Sequence, residues 1–235
     1  MKYLFNWTGG AGGDFLLCIL TILEPERAFA KNQTPTVCNT YTNRWGIANP
    51  INRPFHNVSL DGGIQLSHDM KDDMILQFHD LYILYRESTV LISEFASNVR
   101  KVNLTSNGDV AVDGYIHYLL SIKSFELTEY SLGTAYPGCI NIDYNELIIK
   151  QDMNAIETFL LAFDIDVTLV DLCHIQRIIK KYHLCNRQLL PSFTRMPKDL
   201  ASADSPRAEV MVLTLGEMEL ALDMMYEYFD GLTIY

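Results

Sequence analysis

The stretch Gly9-Gly10-Ala11-Gly12-Gly13-Asp14 carries the chemistry that this sequence suggests most directly. Glycine lets a backbone take positive φ and come close to a ligand, while the N–H groups and positive dipole end of a helix start favour phosphate or sulfate. The same residues also serve a plain β-to-α turn that holds no ligand. There is no Gly-Lys-Ser/Thr here, and the spacing does not give Gly-x-Gly-x-x-Gly, so neither common nucleotide fingerprint applies. Asp14 suits an N-terminal cap, yet its carboxylate would repel a bound phosphate. Two more residues join the loop as candidates, His68 and Arg86, because each closes a strand-like run. For His68 the plain alternative is a histidine at a strand end, and for Arg86 a surface ion pair.

The elements that must position these residues follow from the pattern of apolar side chains. Tyr3, Leu4, Phe5 and Trp7 form a strand, and Phe15 to Leu20 form an apolar helix beyond the glycines. Gly62 to His68 is a short strand ending on the histidine, and an acidic connection runs from Asp69 to Asp73. Asp80 to Tyr85 is apolar nearly throughout, as a central strand covered on both faces would be, and delivers Arg86. Thr89 to Val102 and Gly114 to Ser124 are helix candidates, separated by a turn at Asn107-Gly108. Cys139 to Tyr144 alternates like a strand.

Gln151 to Phe163 is an amphipathic helix capped by Asp152, with Met153, Ile156, Phe159, Leu160 and Phe163 on one face. Val167 to Leu190 forms another, with Leu169, Leu172, Ile175, Ile179 and Tyr182 inward and Arg177, Lys180 and Lys181 outward. Pro191 to Pro206 is loop-like. Ala208 to Phe229 returns to helix with Met211, Leu215, Met218, Leu222, Met225 and Phe229 in a stripe, which docks on the body or on a partner. Lys31 to Pro35 and Asn39 to Leu60 have no sustained period. Arg44, Trp45, Arg53, Phe55 and His56 there line a cleft or merely anchor a surface excursion.

Strands alternating with helices imply an α/β fold, a parallel sheet flanked by helices, with a C-terminal helical appendage over residues 191–235. Ligands of such sheets bind beyond the carboxyl ends of the strands, the edge that holds Gly9 to Gly13, His68 and Arg86. A chain of 235 residues suits one domain with a proper core. Its 49% hydrophobic and 20% charged residues are those of a soluble globule, and its net charge of −11 disfavours a surface that grips nucleic acid. Five scattered cysteines without zinc spacing read as reduced thiols of a cytoplasmic protein, with no metal site. The apolar N-terminus is broken by glycines and Asp14 and has no cleavage pattern, so a signal peptide is not expected. No apolar run reaches the roughly 18 residues of a membrane span.

In the order of these motifs the chain resembles the sulfotransferase-like group of P-loop proteins over about residues 1–190. In that family a first strand enters a loop of the type Lys-Ser-Gly-Thr-Thr-Trp, and Gly10-Ala11-Gly12-Gly13-Asp14-Phe15 occupies the matching place. A second strand ends in Lys-Thr-His, to which Leu66-Ser67-His68 is similar. A third ends in an arginine followed by a serine, and Arg86 and Ser93 resemble that pair. The later Tyr-Glu-Asp-Leu segment is similar to Tyr144-Asn145-Glu146-Leu147.

The resemblance implies a three-layer P-loop-type sheet and a sulfotransferase using 3′-phosphoadenosine 5′-phosphosulfate. Gly9, Gly10, Gly12 and Gly13 would hold the 5′-phosphosulfate, Arg86 and Ser93 the 3′-phosphate, and His68 would be the general base toward a small-molecule or glycan acceptor. Two departures stand out: Gly10 replaces the loop lysine, and the C-terminal Arg-Lys-Gly-x-x-Gly loop is missing. An ordinary kinase reading fails on the absent Lys-Ser/Thr. The remaining alternative is a non-catalytic protein that keeps the fold and assembles, as a homo-oligomer or with a protein partner, through its C-terminal helix.

Overall fold

The computed structural model describes residues 2–7, 12–24, 35–38, 44–47, 75–79, 99–105, 135, 138–193 and 209–232. Strand β1 (Lys2–Trp7) lies inside a parallel sheet completed by β4 (Ile75–His79), β5 (Val99–Thr105) and β6 (Ile140–Asp143), in the order β4-β1-β5-β6. Register pairs Phe5 with Gln77 on one side and with Val102 on the other. Because side chains alternate along a strand, Tyr3, Phe5 and Trp7 share one face of the sheet with Val102 and Leu104. Leu4 and Asn103 fall on the other face and are each 1% exposed, so the centre of the sheet is buried on both sides. The fold is α/β.

Helix α1 (Gly13–Leu23) follows the glycine turn, and every residue from Phe15 to Thr21 is buried. It is apolar all round, as a helix enclosed by protein must be. Its one buried hydroxyl, Thr21 Oγ1, donates to the Leu17 carbonyl at 2.8 Å. Helix α2 (Met153–Ala162) begins where Asp152 accepts a hydrogen bond from the Ala155 amide at 3.0 Å. Its Phe159 and Phe163 rings lie 6.0 and 5.3 Å from the Phe5 ring. At the amino edge of the sheet, Tyr3 donates to Asp164 at 2.8 Å and Arg100 pairs with the same carboxylate, tying the end of α2 to β1 and β5.

Helices α3 (Leu172–Phe193) and α4 (Leu215–Leu232) pack together. Ile175, Ile178, Ile179 and Tyr182 of α3 and Met218, Leu222 and Met225 of α4 enter the same core as β1 and α1. Polar groups bind the two helices at the rim. Glu219 accepts from Lys181 at 2.9 Å and contacts His174 at 2.8 Å, and Lys181 reaches Asp223 at 2.7 Å.

Three short strands form a second, antiparallel sheet in the order β3-β2-β7: β2 (Pro35–Cys38), β3 (Arg44–Ile47) and β7 (Glu209–Met211). Pro35 stands at the first position of β2, where proline is tolerated. Arg44 and Trp45, expected in an irregular stretch, lie in β3.

Several expectations need correction. Val99 to Val102, expected at the end of a helix, belong to β5, because pairing with β1 overrides a local pattern that fits either state. Glu209 to Met211, expected in the last helix, pair with β2, and that helix begins only at Leu215. Val167 to Leu169 form a separate 3₁₀ turn capped by Asp166, which leaves Leu169 84% exposed rather than inward. The helix after it continues through Pro191 to Phe193, past the expected loop boundary. The predicted strands at Gly62 to His68 and Asp80 to Tyr85, the turn at Asn107-Gly108 and the helix at Gly114 to Ser124 lie outside the described residues.

Candidate functional site

The strand order marks the position where parallel sheets of this kind take their ligands. Among the described strands, β1 is followed in the sheet by β4 on one side, whereas β5 is followed by β6 on the other. That reversal of strand order is a topological switch point, here between β1 and β5. Trp7 and the glycine turn sit at the end of β1. Thr105 ends β5, and register sets Asp143 of β6 beside it.

At the entry to α1, Gly12 is the N-cap residue, with φ 76° and ψ 15°. This left-handed conformation suits glycine because a side chain there would crowd the next carbonyl. The expectation that Asp14 is the cap residue is corrected: the N-cap is Gly12, which has no side chain to cap with, and Asp14 lies in the first turn. Its negative charge there complements the helix dipole.

Gly12 and Gly13 also meet close neighbours. A Cβ on Gly13 would lie 2.1 Å from Cδ2 of Trp7, and one on Gly12 would lie 2.9 Å from the Tyr182 hydroxyl oxygen. The Tyr182 ring stacks on Phe15 with centroids 3.8 Å apart and planes at 10°. Tyr182, read from the sequence only as an inward helix residue, therefore reaches the start of α1 from α3.

Of the residues expected to form the site, the structure places Gly12 and Gly13. Gly9, Gly10, His68, Arg86 and Ser93 lie outside the described residues. The fold adds residues at the same edge that were not picked out in the sequence. His79 is the last residue of β4 and is in register with Trp7. Its signal in the sequence was a histidine closing the short, mostly apolar run Ile75-Leu76-Gln77-Phe78. Nearby, buried Asn103 donates to the Asn141 side chain at 3.0 Å, and Asn141 donates to the Cys139 carbonyl at 3.2 Å. The Thr105 hydroxyl donates to the Ile142 carbonyl at 3.1 Å, and Asp143 accepts from the Asn145 amide at 2.8 Å. From there Tyr144 enters a π-helical turn, Asn145–Ile149.

No protein-family model, curated protein or solved structure matches this chain.

Burial pushes the Tyr144 phenol up to about 12, so it stays protonated at neutral pH. At the other end of β6, just before its first residue, burial pushes the Cys139 thiol up to about 11, against the pull of Lys101, which keeps it from serving as a ready thiolate nucleophile. Among the described residues no group of three His, Cys, Asp or Glu side chains could hold a metal ion, and no described helix is long and apolar enough to cross a membrane.

Proposed function

We propose that this chain binds an anionic nucleotide at the carboxyl edge of its parallel sheet, and that the bound molecule is the sulfuryl donor 3′-phosphoadenosine 5′-phosphosulfate. The observation that carries the reading is the left-handed Gly12 turn opening a buried helix beside the β1/β5 switch point. The fit to the donor rests on that turn and on the amides it presents at the start of α1. In this reading the fold is the three-layer P-loop type, and the acceptor is a hydroxyl or amine.

When bound, the donor supplies an activated sulfuryl group and a phosphate leaving group. The chain's own residues supply the rest. Loop amides from Gly9 to Gly13 hold the phosphosulfate end, which matters in a protein whose net charge is −11. Arg86 and Ser93 hold the 3′-phosphate by charge-assisted hydrogen bonds. His68 takes the acceptor proton at a ring nitrogen, since imidazole titrates near neutral pH. The test is the melting temperature in adenosine 3′,5′-bisphosphate. Saturation at about 100 times the dissociation constant stabilises by roughly 2.7 kcal/mol. His68→Ala should keep that shift and lose sulfuryl transfer, and Arg86→Ala should lose the shift. An unchanged melting temperature of the intact chain at millimolar ligand removes the donor site.

A second reading has its own support. The contacts of Gly12 with Tyr182 and of Gly13 with Trp7 account for these glycines by packing alone, and Gly10 stands where a loop lysine would neutralise the donor. In that reading the chain is a non-catalytic scaffold that pairs with a second copy of itself through α4. Met218, Leu222 and Met225 belong to the core, so deleting α4 would unfold the chain rather than test assembly. Leu220 and Met224 face outward, 60% and 58% exposed. A dimer mass in light scattering that Leu220→Lys with Met224→Lys converts to a monomer supports the scaffold reading, and a monomeric unaltered chain rejects it.

A further inference from the structure

We infer that Tyr182 is a positioning residue of the glycine turn, so that the α3/α4 pair forms part of the ligand site. The ring of Tyr182 is 5% exposed and lies flat on Phe15, the third residue of α1. Its hydroxyl is held against Gly12, at a distance that leaves no room for a Cβ. A stacked ring has little freedom to slide, so the hydroxyl is fixed over the residue whose left-handed backbone sets the direction of the first α1 amides. Gly12 turns the chain, Phe15 anchors the tyrosine, and the tyrosine blocks the turn from relaxing toward its own side.

Tyr182 is in turn held from behind. Ile178 and Ile179 before it and Cys185 after it are buried, and Cys185 donates from its thiol to the Leu222 carbonyl of α4 at 3.5 Å. The carboxylates of Glu219 and Asp223 grip Lys181, the residue next to Tyr182. The contact between α3 and α4 is thus transmitted to residue 12, some 170 positions earlier in the chain. The first half of this inference, that Tyr182 holds the turn, stands apart from any ligand. The second half, that the held turn serves an anion, rests on the proposed function.

Tyr182→Phe separates the two, because it keeps the stacked ring and removes only the hydroxyl. Amide hydrogen exchange of residues 12–16, followed by NMR, should quicken by about tenfold or more, while exchange in α2 stays as it was. Titration with adenosine 3′,5′-bisphosphate should show binding weakened by about tenfold. Unchanged exchange at residues 12–16 overturns the positioning role, whatever the ligand does. Faster exchange with undiminished binding overturns the link to the ligand. If the unaltered chain binds no adenosine 3′,5′-bisphosphate, the nucleotide reading fails, and the exchange result alone still decides the role of Tyr182. Should Tyr182→Phe fail to fold, Gly12→Ala presses on the same hydroxyl from the other side. It should shift the Tyr182 ring resonances, and unmoved resonances overturn the contact.

Discussion

Gly13 opens helix α1 directly against the indole of Trp7, with a Cβ-to-ring separation of only 2.1 Å if the glycine carried a side chain. Trp7 ends β1 and is 1% exposed, so the ring has no open side to retreat into. The helix can approach the strand this closely only because residue 13 is glycine.

Gly13→Ala should therefore cost about 1–3 kcal/mol, the usual penalty for forcing a methyl into a packed core. Urea unfolding of the variant measures it. In a Trp7→Leu background the same change should cost markedly less, since the clash partner is gone; equal costs in both backgrounds would show that the contact is not what excludes a side chain.

Asn103, buried in β5, donates its side-chain amide to Asn141, an exposed residue of β6. Asn103→Ala removes this hydrogen bond while water can still reach the exposed Asn141 carbonyl oxygen, a loss of about 0.5–1.5 kcal/mol. Replacing both by alanine should cost less than the sum of the single changes. A double-mutant cycle in urea reads the difference.

The clasp of α4 on α3 should weaken in acid. The hydrogen bond from Lys181, aided by His174, holds the Glu219 carboxyl below its ordinary value of 4.5. A carboxylate whose folded pKa is depressed adds stability that is fully present above its unfolded value and is lost as pH falls through the folded one. The melting temperature of the protein should exceed that of Glu219→Gln at neutral pH, and the gap should close below about pH 4.5. A gap that is constant down to strongly acid pH would mean that Glu219 acts by packing rather than by charge.

Thiol labelling should follow burial. Cys173 is exposed, whereas Cys18 and Cys185 are buried, and burial pushes the Cys185 thiol up to about 12. Native alkylation followed by peptide mass spectrometry should modify Cys173 and spare Cys18 and Cys185 until the chain is unfolded. Early labelling of Cys185 would place it outside the core.

Asp152 was legible as a cap and Ile156, Phe159 and Leu160 as a buried face because both depend on spacing within one helix. The same holds for β1, the glycine turn and the apolar α1, whereas β6 was legible as a strand but not in its burial, since Ile140 is exposed and only Ile142 is buried. Val99 to Thr105 and Glu209 to Met211 were not legible, because a strand is defined by its neighbours and these neighbours, β1 and β2, lie far away in the sequence. Leu169 looked like a core residue by type, and only the 3₁₀ turn turned it to solvent. At the candidate site the sequence alone specified that residues 9–13 permit a tight, side-chain-free turn. Only the packed structure set Trp7 and Tyr182 against two of those glycines, since contacts between a strand end, a helix start and a helix some 170 residues later form when the core closes around them.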